Sequence, residues 1–142
     1  MTILGFTDGA ARGNPGQGGI GVVLKDESGN VLAEIKKYLG NVTNNVAEYT
    51  ALIECLRRVN VLFGNTAGVP CSKLIIHSDS ELMVRQINGE YKVKDRTLKE
   101  LFDEVQKILR SASFEFSIKH VPREKNKEAD ALANESIDEH SR

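Results

Sequence analysis

The 142-residue sequence has no apolar run long enough to cross a bilayer, which excludes a helical membrane protein. Its opening residues, Met1-Thr2-Ile3, lack the basic stretch that begins a secretory leader, so the sequence predicts a soluble, cytoplasmic protein. Cysteine is scarce. Cys55 falls in a helical pattern and Cys71 follows Pro70. Neither has a zinc-like partner nearby, so both read as structural thiols of a reducing compartment. Strong charge of one sign is missing too: a net charge of −1 gives no bulk attraction to polyanions. There is no internal repeat, linker or low-complexity segment. What is there, a 40% hydrophobic chain of ordinary domain length, predicts a single domain over residues 1–138 with a frayed tail at 139–142.

The apolar pattern begins with period two. Residues 3–8, 18–24 and 31–39 read as strands, the last two joined by the tight turn in "KDESGN". Short links favour an antiparallel meander. From Asn45 the period becomes helical, through Leu52, Cys55, Leu56, Val59 and Phe63, and "GNTAGVPCS" follows as a loop. "KLIIHS" is a short buried strand, 80–88 a short helix stopped by Gly89, and 95–111 an amphipathic helix. "SFEFSIKHV" alternates as a strand, "PREKN" reads as a loop, and a last helix carries Ala129, Leu132, Ala133, Ser136 and Ile137. The order β-β-β-α-β-α-α-β-α implies one mixed sheet with helices on its faces.

Four carboxylates fall at element ends: Asp8, Glu48, Asp79 and Asp130. Each alone has an ordinary reading. Asp8 precedes a glycine turn, Glu48 could cap back onto Asn45, Ser78-x-x-Glu81 is a capping box around Asp79, and Asp130 is a polar helix position. Placement argues otherwise. Glu48 lies four residues before Leu52, at the end of the buried stripe, and Asp130 lies three before Ala133. Inward-facing carboxylates need compensation, no lysine or arginine is placed to pair with all four, and hard oxygen ligands select magnesium or manganese.

The segments "FTDGAARGNPGQGG", "TNNVAEYTAL", "IIHSDSELMVRQING" and "KHVPREKNKEADALAN" resemble, in order, the four signature segments of ribonuclease H type 1. The resemblance implies the three-layer α/β fold of that family, a mixed five-stranded sheet in the order 3-2-1-4-5 with helices on both faces. It implies endonucleolytic hydrolysis of the RNA strand of an RNA–DNA hybrid, leaving 5′-phosphate and 3′-hydroxyl ends. It places the metal-binding acids on Asp8, Glu48, Asp79 and Asp130, and the catalytic-loop histidine on His120. Asn14, Thr43, Asn44 and Asn45 resemble the residues that grip the DNA-strand phosphate and the minor groove.

Two Mg2+ ions are expected, with Mn2+ as a substitute: one held by Asp8 and Asp130 to activate water, the other held by Asp8, Glu48 and Asp79 to stabilise the departing 3′ oxygen. Setting the four acids aside turns the net charge of −1 into +3, and the stretches Lys92, Lys94, Arg96, Lys99 and Lys119, Arg123, Lys125, Lys127 are the expected phosphate contacts. Sugar selectivity would come from the 2′-hydroxyl, read by the backbone of a Gly9–Gly13 loop with Asn44 and Asn45. The partner is the hybrid duplex alone; the chain is expected to be a monomer, with no membrane and no obligate protein partner. Some departures stand out. Glu81 replaces a glutamine of some members, and neither a long basic insertion nor a tryptophan-rich surface is present, tryptophan being absent altogether. Two alternatives remain. A proofreading exonuclease of the same broad fold would carry Asp-x-Glu on its first strand, where this chain has Asp8-Gly9-Ala10. A non-catalytic hybrid- or RNA-binding module would gain nothing from four acids facing phosphates.

Overall fold

A computed structural model of the chain describes residues 1–64 and 68–141. Three long strands, β1 (Thr2–Gly13), β2 (Gly16–Lys25) and β3 (Val31–Val42), form the antiparallel meander. Helix α1 (Asn44–Phe63) then crosses to β4 (Lys73–Ser78), which pairs parallel to β1. Two helices follow, α2 (Glu81–Ile87) and α3 (Arg96–Arg110), then β5 (Glu115–His120), parallel to β4. A single 3-10 turn (Arg123–Lys125) leads into α4 (Lys127–His140). The sheet order is 3-2-1-4-5, as the resemblance implies.

The apolar stripe of α1 is buried through Leu52, Cys55, Leu56 and Val59, packed with α3 on one face of the sheet. Truncating a fully buried leucine there, such as Leu56, costs about 2–5 kcal/mol. On the other face α4 lies directly on β2. A Cβ on Gly21 would come within 2.1 Å of the Ala129 carbonyl, and one on Gly19 within 1.9 Å of Ser136 Oγ. Ala129 and Ala133 are buried against this glycine track, while Ala131 faces outward.

Several boundaries differ from the sequence reading, each for a local reason. Residues 9–13 are not a loop. They pair residue by residue with β2 down to Gly13↔Gly16, around a two-residue turn at Asn14-Pro15. Asp8 therefore sits inside β1 rather than closing it. The cap of α2 is Ser80, whose Oγ accepts from Met83 N at 3.3 Å; Ser78 still belongs to β4 and Glu81 pairs with Arg85 instead of capping. Glu48 lies in the second turn of α1, since Thr43 is the N-cap. "PREKN" holds the 3-10 turn. The predicted loop over 64–72 is described except for 65–67. Helix α4 continues to His140, held by the Arg12–Asp138 and Lys36–Glu139 ion pairs and by stacking of His140 on Tyr38.

Candidate active site

The site arises where two strands part. The parallel pairing of β1 with β4 ends at Thr7↔Ser78. The next residues on these neighbouring strands are Asp8 and Asp79. There β4 gives way to the Ser80 cap of α2, while β1 runs on beside β2. β1 thus loses a neighbour on one edge, and backbone groups that β4 would have satisfied need other partners. Gly9 N donates to Glu48 Oε1 at 2.7 Å, and Thr7 O accepts from Asn126 Nδ2 at 2.9 Å. The first bond settles the role of Glu48. It reaches across to β1 and does not cap back onto Asn45.

Gly9 makes that reach feasible. A Cβ there would lie 2.2 Å from the Ala47 carbonyl carbon and 2.4 Å from Glu48 N, so only glycine lets α1 descend this close to the strand. A buried hydrogen bond from Tyr49 Oη to Gln86 Oε1, at 2.6 Å, ties α1 to α2 behind Asp79. Asp130, in the first turn of α4, completes the ring from the opposite face.

Carboxylate oxygens of Asp8, Glu48 and Asp79 all lie within 4.8 Å of one another. Asp130 stands just outside this triad and lines the same cavity of 340 Å³, together with Gly9, Ala10, Asn44, Ser80 and Arg123. Burial first, then the charge of Asp79 and the hydrogen bond and charge of Asp130, push Asp8 up to about 8 from its ordinary 3.8. Glu48 is also held well above the usual carboxylate range, by burial and by the charges of Asp8 and Asp79. Among the described residues the triad has no ion-pair partner; Arg123, on the wall of the same cavity, lies 3.7 Å from Asp130. Three hard oxygen donors, mutually repelling and without a protein cation, fit a divalent ion of the magnesium or manganese class.

The other expected site residues divide. Asn14 Oδ1 accepts from Asn44 N at 3.1 Å, tying the β1–β2 turn to the start of α1. Asn14, Thr43 and Asn45 line a neighbouring cavity of 490 Å³ with Asp95 and Thr97, whereas Asn44 lines the acidic one. His120 ends β5 level with Ser78 and is exposed, outside the residues that line the acidic cavity. His77 is buried, with Nδ1 3.0 Å from Gly5 O and its ring edge-on to Phe6. Sequence reasoning grouped Arg123 with the surface cations and passed over Asn126; the spacings to Asp130, seven and four residues, were the available signal.

A family model described as reverse transcriptase-like matches residues 6–136. A compost-derived structure, LC11-RNase H1, solved with an RNA/DNA hybrid, is 47% identical over 99% of both chains with a TM-score of 0.92. The chain belongs to the type 1 ribonuclease H family. Ribonuclease H of Clostridium botulinum is 32% identical over 154 residues, covering 96% of each protein. Ribonuclease HI of Halobacterium salinarum is 37% identical over 137 residues, and the chain spans about two thirds (65%) of that relative's length. Within this family frame the four acids form one ring, drawn from β1, α1, the end of β4 and α4.

Proposed function

We propose that this chain is an endonuclease that hydrolyses the RNA strand of RNA–DNA hybrids with the help of two divalent ions, Mg2+ by preference. The observation that carries the reading is the acid ring at the open edge of β1. Asp8, Glu48 and Asp79 would hold one ion, Asp8 and Asp130 the other. Bound there, such ions lower the pKa of water and neutralise charge that develops on a phosphate and its leaving oxygen. The protein's own residues do the remaining work. Gly9 N fixes the Glu48 carboxylate. Arg123, exposed at the cavity wall, meets a phosphate oxygen. Asn14, Thr43 and Asn45 receive the second strand in the adjoining cavity, and the exposed Lys92, Lys94 and Arg96 follow the duplex backbone.

Sugar selectivity moves from the backbone to a side chain. Residues 9–13 are strand, and the Gly9 N–H is already committed to Glu48. Asn44, beside the acids, is left to meet the 2′-hydroxyl.

The deciding assay is a labelled hybrid with Mg2+ and then with a chelator. Internal cuts in the RNA strand that stop on chelation are expected. Binding without cutting would favour the binding module, and stepwise loss from one end the exonuclease. The two candidate helpers can be ranked in the same assay. Arg123→Ala, at the cavity, is expected to slow turnover about tenfold or more. His120→Ala, at the strand end, is expected to slow it less, through proton transfer or product release. The reverse ranking would assign the helper role to His120.

A second expectation concerns metal and pH. Without metal, the folded protein binds protons at Asp8 and Glu48 that the unfolded chain releases near pH 4. The contribution of these two groups to stability is therefore greatest below that pH and is lost as pH rises toward 8. Mg2+ should relieve the repulsion, so it should raise the melting temperature more at pH 8.5 than at pH 5.5. Equal increments by differential scanning calorimetry would place the ion elsewhere.

A further inference from the structure

Asn126 occupies the N-cap of α4, where an asparagine side chain ordinarily accepts an N–H from the first turn of its helix. It makes no such bond. Its side chain is buried and Nδ2 donates instead to Thr7 O, 119 residues away in the chain. Its main-chain carbonyl accepts from Asp130 N at 3.1 Å. One residue thus fastens the strand segment that carries Asp8 to the helical turn that carries Asp130. Asn126 Oδ1 is buried without a partner among the described residues, which is an unfavourable state for a polar atom. A side chain that leaves its cap unmade and its own acceptor unsatisfied is kept in place by the one bond it does form.

Resting on the metal-dependent reading above, we propose that Asn126 is a positioning residue: its bond to Thr7 O sets the spacing of Asp8 and Asp130 and thereby the affinity of the acid ring for divalent ions. Without the bond, the N-terminus of α4 is free to draw back from β1, and the ring widens on the Asp130 side. Partners that orient ligands in this way typically shift metal affinity about 10–100-fold.

Asn126→Ala and Asn126→Asp test this. The aspartate keeps the shape but presents an acceptor where Thr7 O needs a donor. Three quantities are measured: Mn2+ affinity by calorimetry, the melting temperature without metal, and kcat and KM on the hybrid at Mg2+ well below the concentration that saturates the wild type. Both variants are expected to bind Mn2+ about tenfold more weakly. Their kcat should fall at least as far, with KM for the hybrid within about twofold of wild type. A residue that serves only the fold would lower the melting temperature and leave Mn2+ affinity and kcat unchanged below it; that result overturns the proposal. So does wild-type Mn2+ affinity in Asn126→Asp, and this isosteric variant decides alone if Asn126→Ala does not fold. Calorimetry needs no substrate. A wild-type protein that binds Mn2+ but leaves the hybrid intact would sink the ribonuclease reading while this test still runs.

Discussion

Asp8→Asn is expected to abolish cleavage of the hybrid, by about 10³-fold or more, and at the same time to stabilise the metal-free protein. The two effects share one cause. Asp8 is desolvated and faces Asp79 and Asp130, so its charged form is strongly disfavoured in the absence of cations. An amide keeps the volume and removes the charge. Above pH 8, where the folded protein has lost the Asp8 proton, the gain should be of the order of 2 kcal/mol; it should shrink as pH falls and vanish only below about 3.8, where the carboxyl is neutral in the unfolded chain as well as in the folded state. Activity falls because no other acid is placed to serve both halves of the ring. Thermal melts at pH 5 and pH 8.5, with and without Mg2+, beside the hybrid assay, measure both effects. A variant that cuts at near wild-type rate would show that the acids are misassigned; one that melts lower at pH 8.5 without metal would show that repulsion at Asp8 is weak.

Gly9→Ala should damage stability and activity together. The added methyl meets backbone atoms of Ala47 and Glu48 at 2.2–2.4 Å, which no rotamer change can relieve. Helix α1 must lift from β1, and the 2.7 Å bond from Gly9 N to Glu48 Oε1 goes with it. We expect a loss of about 3 kcal/mol in stability and, at a temperature where the variant remains folded, at least a tenfold lower kcat. Gly29→Ala is the contrast. Gly29 has φ +87° and open space around it, so only backbone strain is charged, about 1 kcal/mol, with activity untouched. Equal effects at the two glycines would mean that close approach of α1 is not what position 9 protects.

Strand β4 could be read almost to the residue because "KLIIHS" is apolar, short and bounded by turn residues. The four acids were legible because they lie beside buried positions, where a solvated charge has no reason to be. Other features had no local signature. Residues 9–13 looked like a loop because glycine is ordinarily punctuation; here the missing side chain of Gly9 makes room for α1 within a continuous ladder. Ser78-x-x-Glu81 matched a capping box, yet Ser80 caps, since pairing with β1 holds Ser78 in the sheet. The bonds from Gly9 to Glu48 and from Asn126 to Thr7 join residues 39 and 119 apart, a separation at which spacing in one sequence carries no information.

The placement of Asp130 has a consequence for the order of synthesis. Asp8, Glu48 and Asp79 all precede α4 in the chain, carried by β1, α1 and the end of β4. The fourth acid rides on α4, the element that also covers the glycine track of β2. In a chain made from its N-terminus, the docking of α4 that covers the glycine track is therefore also the contact that completes the ring of acids.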